Sequence, residues 1–243
     1  MQYRGRTQLL AIEDLKLDSA SYSEVVVSVL DGDINRSYAQ EADDSLKEIN
    51  VPTAGLSLPG MLLSGGEQQF TIEFGLAQSL QFQSADDDYL MTTDGIRLED
   101  NEVAASLSGR VDSALFDTAS PCDEKAEPEL GNRVYLYEGI NLDGTQLADV
   151  FTQNSSTSVP DDAIAPFAVA TLVRNSLTGS WEYAFGFIPP EDYTLAFACD
   201  TAGDDPVDYD GLTVPLPTDQ TYEITLSEGE QSVCDLAEDG SCN

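Results

Sequence analysis

The chain has 243 residues, enough for one large or two small domains that each bury a core, and it carries 10 Lys plus Arg against 45 Asp plus Glu, a net charge of −35. That balance repels a phosphate backbone and anionic lipid alike, so nucleic acid is excluded as a partner. Because charged residues are 23% and hydrophobic ones 41%, the acidity comes from scarcity of lysine and arginine in a chain that still folds.

No run of about 18 apolar residues is present, so no membrane span is expected. Met1 leads into Gln-Tyr-Arg-Gly-Arg, with neither an apolar signal core nor a cysteine for lipid attachment, and we expect any export signal to be absent from this chain. Residues 9–30 give the segment LLAIEDLKL and then, from Tyr22, the β-branched run EVVVSVL of a buried strand. The turn that follows, DGDIN, places Asp31, Asp33 and Asn35 at alternate positions, as a calcium loop does. Arg36 and Ala42 stand where that loop needs glycine and a bidentate glutamate, so an ordinary turn is expected. Residues 46–51 read as a strand ending at Pro52. LSLPGMLLSGG passes through a glycine-rich turn into QQFTIEFGL, where Phe70, Ile72 and Phe74 share a face. A helical turn over Ala77 to Leu80, the acidic loop Asp86-Asp87-Asp88, a strand Tyr89 to Met91 and a strand Ile96 to Leu98 follow. Another strand is expected from Val103 to Phe116.

The boundary between two domains, 1–108 and 109–243, is placed within that last strand. DTASPCDEKAEPELGN reads as a loop and RVYLYEG as a strand, with Val134 and Leu136 on one face and Tyr135 and Tyr137 on the other. After a turn at Asp143-Gly144 and a polar excursion, FAVATLV leads to WEYAFGFIPPEDYTLAFAC, residues 181–199. This stretch reads as a β-hairpin. Trp181, Tyr183, Phe185 and Phe187 alternate on one arm, Pro189-Pro190 breaks the ladder, and Tyr193, Leu195 and Phe197 resume the period of two. The aromatic row is read as core, although on an exposed face it would suit sugar stacking. The acidic loop DTAGDDPVDYDG and the short strands LTVPL, TYEITL and QSVCDL complete the chain. Many short strands without a long amphipathic helix predict an all-β fold of two β-sandwich domains in tandem, Ig-like or transthyretin-like.

All four cysteines, Cys122, Cys199, Cys234 and Cys242, lie in the second half, with no CxxC spacing and no histidine for a zinc site. Disulfides and an oxidising compartment are expected. Of the three pairings, Cys122–Cys199 with Cys234–Cys242 is preferred, which would anchor the hairpin to the entry of the second domain. The absence of histidine also removes the usual general base and the Ser–His and Cys–His nucleophile pairs. GxSxG, Walker and GxGxxG motifs are lacking, and no enzyme is expected. No cofactor is required, and calcium is the candidate cation. Asp204, Asp205, Asp208 and Asp210 are its candidate ligands, although Pro206 and Pro217 occupy positions that an EF-hand needs for ligands. Asn35-Arg36-Ser37 and Asn154-Ser155-Ser156 match the glycosylation triplet, a pattern common by chance.

The first half, from LLAIEDLKLDSASYSEVVVSVLD through VPTAGLSLPG and FTIEFGLAQSL to DDYLMTTDGIRLEDN and SLSGRVD, resembles the bacterial domain-of-unknown-function family 4382. The second half, with VYLYEG and GFIPPEDYTLAFAC, resembles the transthyretin-like or carboxypeptidase-regulatory-like module that can follow that domain in surface proteins of marine bacteria. Two departures stand out. Family members begin with an additional strand pair, so the first sandwich here reads as truncated with an open sheet edge. Pro190-Glu191-Asp192 replaces the usual glycine turn. The resemblance implies export and a surface role and brings no catalytic residues. The expected function is therefore a non-catalytic exported or cell-surface structural or adhesive protein. It would associate through sheet edges, as a filament subunit or with another β-rich surface protein. The alternatives are a carbohydrate-binding module for polysaccharide and a calcium-stabilised accessory domain of an extracellular enzyme.

Overall fold

A computed structural model describes residues 11–30 and 32–237. Among them the chain is all-β, with sixteen strands and two four-residue helices. The N-terminal half contains β1 (Ser21–Val27), β2 (Tyr38–Gln40), β3 (Leu46–Asn50), β4 (Leu56–Leu62), β5 (Phe70–Phe74), α1 (Leu76–Ser79), β6 (Leu80–Gln83), β7 (Asp88–Met91) and β8 (Ile96–Asp100). They form three small sheets: β1 with β4, β5 with β8, and a four-stranded sheet in the order β2-β3-β7-β6. Alternation decides which side chains turn inward. Val25 and Val27 of β1 face the buried Leu56 and Leu58 of β4, and Met91 and Ile96 complete the centre. Around these four, Ile49, Ile72 and Leu98 are only partly buried. At Gly60 a Cβ would fall 1.8 Å from the Tyr22 carbonyl oxygen, so β1 lies against β4 at a distance that only glycine permits.

The C-terminal half contains β9 (Ala105–Val111), α2 (Ala114–Asp117), β10 (Arg133–Glu138), β11 (Ala168–Thr171), β12 (Val173–Arg174), β13 (Trp181–Ile188), β14 (Asp192–Ala198), β15 (Thr221–Thr225) and β16 (Gln231–Val233). One sheet runs β11-β10-β14-β15 and the other β12-β13-β9-β16, with β16 parallel to β9. Leu107, Tyr183 and Phe185 of the second sheet meet Leu136, Leu195 and Phe197 of the first in one continuous core. The first sheet is covered on its other face too. Tyr135 and Tyr137 of β10 and Ala196 and Ala198 of β14 pack against Leu147, Val150 and Val214 from the connecting loops. Burial on both sides explains why YTLAFA is apolar without alternation.

Several sequence expectations change here. The stretch 181–199 is not a hairpin. β13 pairs with β12 and β9, β14 pairs with β10 and β15, and Pro189-Pro190 carries the chain from one sheet to the other. The arms face each other across the core because each must bury its aromatic face, and alternation specifies that face without specifying a neighbour. The aromatic row also breaks at Phe187. The β13–β9 register shifts between Phe185 and Ile188, and Phe187 takes a φ of 47°. Ile188 is buried in its place and Phe187 stays partly exposed. The strand expected over Val103–Phe116 stops at Val111, and α2 follows once Asp112 Oδ1 accepts the Ala114 amide at 2.9 Å. A boundary between residues 108 and 109 thus falls inside β9, whose ladders run to β13 and β16. FAVATLV divides between β11 and β12 in different sheets, and LTVPL contributes a single bridge, Leu216 with Ala198.

Cys122 and Cys199 form a disulfide that spans 77 residues and ties the loop after α2 to the end of β14. Cys234 is also disulfide-bonded, and Cys242 lies outside the described residues. Lys125 reinforces the first bridge: its Nζ donates to the carbonyl oxygens of Cys199 at 2.6 Å and Leu130 at 2.9 Å and to Asn132 Oδ1 at 2.6 Å. The two halves touch through Arg97 and Gln78. Arg97 lies 4.9 Å from the Phe167 ring centre, pairs with Glu73 at 3.2 Å and reaches the Gly186 carbonyl oxygen at 3.5 Å. Gln78 donates to the Pro166 carbonyl oxygen at 3.1 Å.

Two outcomes follow from this packing. In Gly109→Ala the new Cβ would lie 1.8 Å from the Cys234 carbonyl oxygen and 2.9 Å from the Tyr183 ring, whereas at Gly203 it meets nothing within 4 Å. Urea denaturation is expected to show a loss of about 2–3 kcal/mol for the first substitution and a change within about 0.5 kcal/mol for Gly203→Ala. Replacing Cys122 and Cys199 together by serine is expected to cost about 2–4 kcal/mol, read as a lower melting temperature than the parent under oxidising conditions and a smaller difference after reduction, when only the burial of two hydroxyls in place of thiols remains.

Candidate functional site

Two places merit attention: the acidic loop after β14 and the outer edge of β1. In the loop, Asp204 is carried under the first sheet, and none of its side chain is exposed. Its Oδ2 accepts from Arg133 Nη1 and from the Tyr135 hydroxyl, both at 2.6 Å, and its Oδ1 accepts the Val150 amide at 3.1 Å. Burial raises the carboxyl above its ordinary range, against the opposing pull of the Tyr135 and Arg133 contacts. The alternation of RVYLYE produces this arrangement, because it puts Arg133 and Tyr135 on the same face of β10 as Tyr137, turned toward the loop.

The other candidate calcium ligands accept hydrogen bonds from the loop's own backbone and from Ser156. Asp205 Oδ1 accepts the amides of Val207 at 2.8 Å and Asp208 at 3.0 Å, and Asp210 Oδ2 accepts the Asp205 amide at 2.7 Å. Asp208 holds Ser156 through its amide and its hydroxyl, the latter at 2.9 Å. Asp204 and these three thus fold and anchor a loop, and among the described residues no group of three His, Cys, Asp or Glu side chains is arranged to hold a metal ion. The DGDIN turn behaves similarly: Asp33 Oδ1 accepts both nitrogens of Asn35 at 3.0 Å, while Asp31 lies outside the described residues. In the acidic triplet, Asp87 pairs with Lys47 at 2.5 Å and Asp88 accepts from Asn50.

Asp149 escaped the sequence reading. It sits in LADV, a segment buried at all four positions. Its Oδ2 accepts the Leu212 amide at 2.6 Å, and its Oδ1 makes no hydrogen bond among the described residues. Burial pushes its carboxyl up from 3.8 to about 6, with the charges of Asp204 and Asp210 adding to the rise. An acidic residue inside an apolar run was the signal available in the sequence.

The second place is β1. One edge pairs with β4, and among the described residues no strand takes the other. Residues 11–20 are exposed throughout and belong to no strand. The outward face carries Glu24, held by the Ser57 hydroxyl, and Val26, which is 49% exposed. Just past the strand an open cavity of about 300 Å³ is lined by Val29, Arg36, Ser37, Tyr38, Ile49, Phe74 and Met91. Val29, Ile49 and Met91 belong to the core of this half, so the cavity opens onto it.

Of the aromatic row, Tyr183 and Phe185 lie in the core. Trp181 is half-buried, edge-on to Phe116 at 5.8 Å with Arg174 over its other side at 5.9 Å. No helix among the described residues is long and apolar enough to cross a membrane. No protein-family model matches the chain, and no curated protein matches it in sequence. Among solved structures, a candidate cell adhesion protein from Bacteroides fragilis aligns over 91% of this chain and 81% of its own, at 9% identity and a TM-score of 0.20. A likeness of that size carries no argument.

The raised carboxyl of Asp149 sets a pH dependence. The stability conferred by its protonated form is fully present below about pH 4 and is lost as pH rises through about 6. Asp149→Asn, which keeps an oxygen for the Leu212 amide and removes the charge, is expected to melt higher than the parent above pH 6, with the difference closing below pH 4.

Proposed function

We propose that the chain is a non-catalytic structural or adhesive protein exported to the cell surface, built as two β-sandwich domains in tandem. It associates through sheet edges, with itself or with another β-rich surface protein, and such contacts can extend to a filament. The observation that carries this reading is the outer edge of β1, seven residues long and unpaired among the described residues, next to a half-covered core. An edge of this kind is normally blunted by proline, lysine or a bulge, and SYSEVVV has none of them. The Cys122–Cys199 disulfide supports an oxidising compartment. The lack of histidine supports a role without acid–base chemistry.

The test is association. Light scattering and negative-stain images at salt from low to about 1 M are expected to reveal polymers or, with the extracellular fraction added, complexes in which the β1 amides become protected from hydrogen exchange. Proline at Val25 or at Val26 is expected to abolish that protection, because one of the two amides must point outward. A chain that stays monomeric throughout, with β1 amides exchanging equally fast in every mixture, would overturn the reading.

A further inference from the structure

Edge pairing leaves the partner's chemistry open, and the surroundings of β1 narrow it. A strand added to this edge would place its side chains about 4.5–5.5 Å from those directly opposite. In the middle of β1 that residue is Glu24, the strand's one charge, exposed and engaged among the described residues by the Ser57 hydroxyl. A cation opposite it gains, whereas an acid there is repelled. The whole chain adds to the preference, since a net charge of −35 draws a cationic segment and resists a second copy wherever salt does not screen the approach.

The inward side of the edge asks for something else. Val25 and Val27 face the small core of the first half, and the cavity beyond Val27 is lined by Val29, Ile49, Phe74 and Met91. An incoming strand with apolar residues on that side would extend the core, and a leucine or phenylalanine at its end has room in a space of about 300 Å³. The other edge strands among the described residues suit this less well. β4 carries Pro59 in mid-strand, β2, β12 and β16 have two or three residues, and β5, β6, β8, β11 and β15 have four or five against the seven of β1.

We propose that the outer edge of β1 receives an extended segment of another protein, one that alternates apolar residues with lysine or arginine, sets a cation opposite Glu24 and closes the cavity next to Val29 with a large apolar side chain. The inference rests on the edge-association reading above and specifies its partner. The contact is small, so affinity is modest and falls as salt rises.

The experiment uses the full chain and synthetic nine-residue peptides of alternating valine and lysine ending in leucine. A twin carries glutamate for lysine, and a control keeps the lysines but has proline at alternate positions. Binding is read by fluorescence anisotropy and by hydrogen exchange at β1. The lysine peptide is expected to bind at least about fivefold tighter than the glutamate twin at low salt, with the gap narrowing near 1 M, and to protect the β1 amides. The proline control is expected not to protect them. Glu24→Lys, an exposed substitution whose fold is checked by an unchanged melting temperature, is expected to narrow the gap between the two peptides at low salt, because the local contact is inverted while the chain stays strongly acidic. Equal protection by both strand peptides would overturn the cationic partner while leaving edge association standing. So would self-association through β1 at high salt without a charge preference. Equal binding by the proline control would show plain charge attraction and overturn the proposal. If no peptide protects β1 and the chain never associates, the edge reading falls with it.

Discussion

β14 has water on neither face, and the rest of the C-terminal half is arranged around that fact. A strand covered on both sides needs a full ladder at each edge and an apolar side chain at nearly every position. β10 and β15 supply the ladders, and Tyr193, Leu195 and Phe197 on one side with Ala196 and Ala198 on the other supply the covering contacts. Each such side chain, fully buried, is worth roughly 1.5–3 kcal/mol if it is as large as leucine or phenylalanine. The loops cannot then be passive connections. Residues 147–150 and 212–216 form the second cover of the sheet, and their polar groups need partners under it.

Asp204 meets that need. Its two oxygens satisfy a guanidinium and a phenol from β10 and an amide from the Val150 segment, so one buried carboxylate fixes β10, the Val150 segment and its own loop together. Asp149 performs a related task for Leu212 with one oxygen left unpartnered among the described residues, which is why burial weighs on it. Converging hydrogen-bond donors are what hold the Asp204 carboxylate under the sheet. Asp205, Asp208 and Asp210, closer to the surface, organise turns by the same means. The carboxylates of the acidic loop are held by amides of the loop itself and by groups of Arg133, Tyr135, Val150 and Ser156.

Alternation in the sequence was enough to find most strands and to say which residues face inward, because the period of two is a local property. It served for Val25 and Val27, for Phe185 and for the disulfide end of β14. Pairing is not local. Nothing in WEYAFGFIPPEDYTLAFAC separates a hairpin from two strands in opposite sheets, since both bury the same faces. The slip at Phe187 arises from register against β9, and the short β2 and β6 lack enough residues to display a period. In the sequence Asp204 stands out through its neighbours in the chain, whereas its partners in the fold, Arg133 and Tyr135, lie 71 and 69 positions away.

The last strand among the described residues runs parallel to the first strand of its half: β16 lies beside β9, with Ser232 opposite Leu107, and the ladder continues to a bridge between Val111 and Leu236. Tension that enters before β9 and leaves after β16 therefore acts along that ladder and not across it. Its hydrogen bonds share the load in shear instead of opening one after another like a zipper. The Tyr183 hydroxyl on the Cys234 carbonyl oxygen braces the same seam from the core. Cys122–Cys199 keeps the 77-residue span between its ends from being drawn out even if the seam yields. A half built in this way resists being pulled apart from its two ends more than its modest ladder length alone would give it.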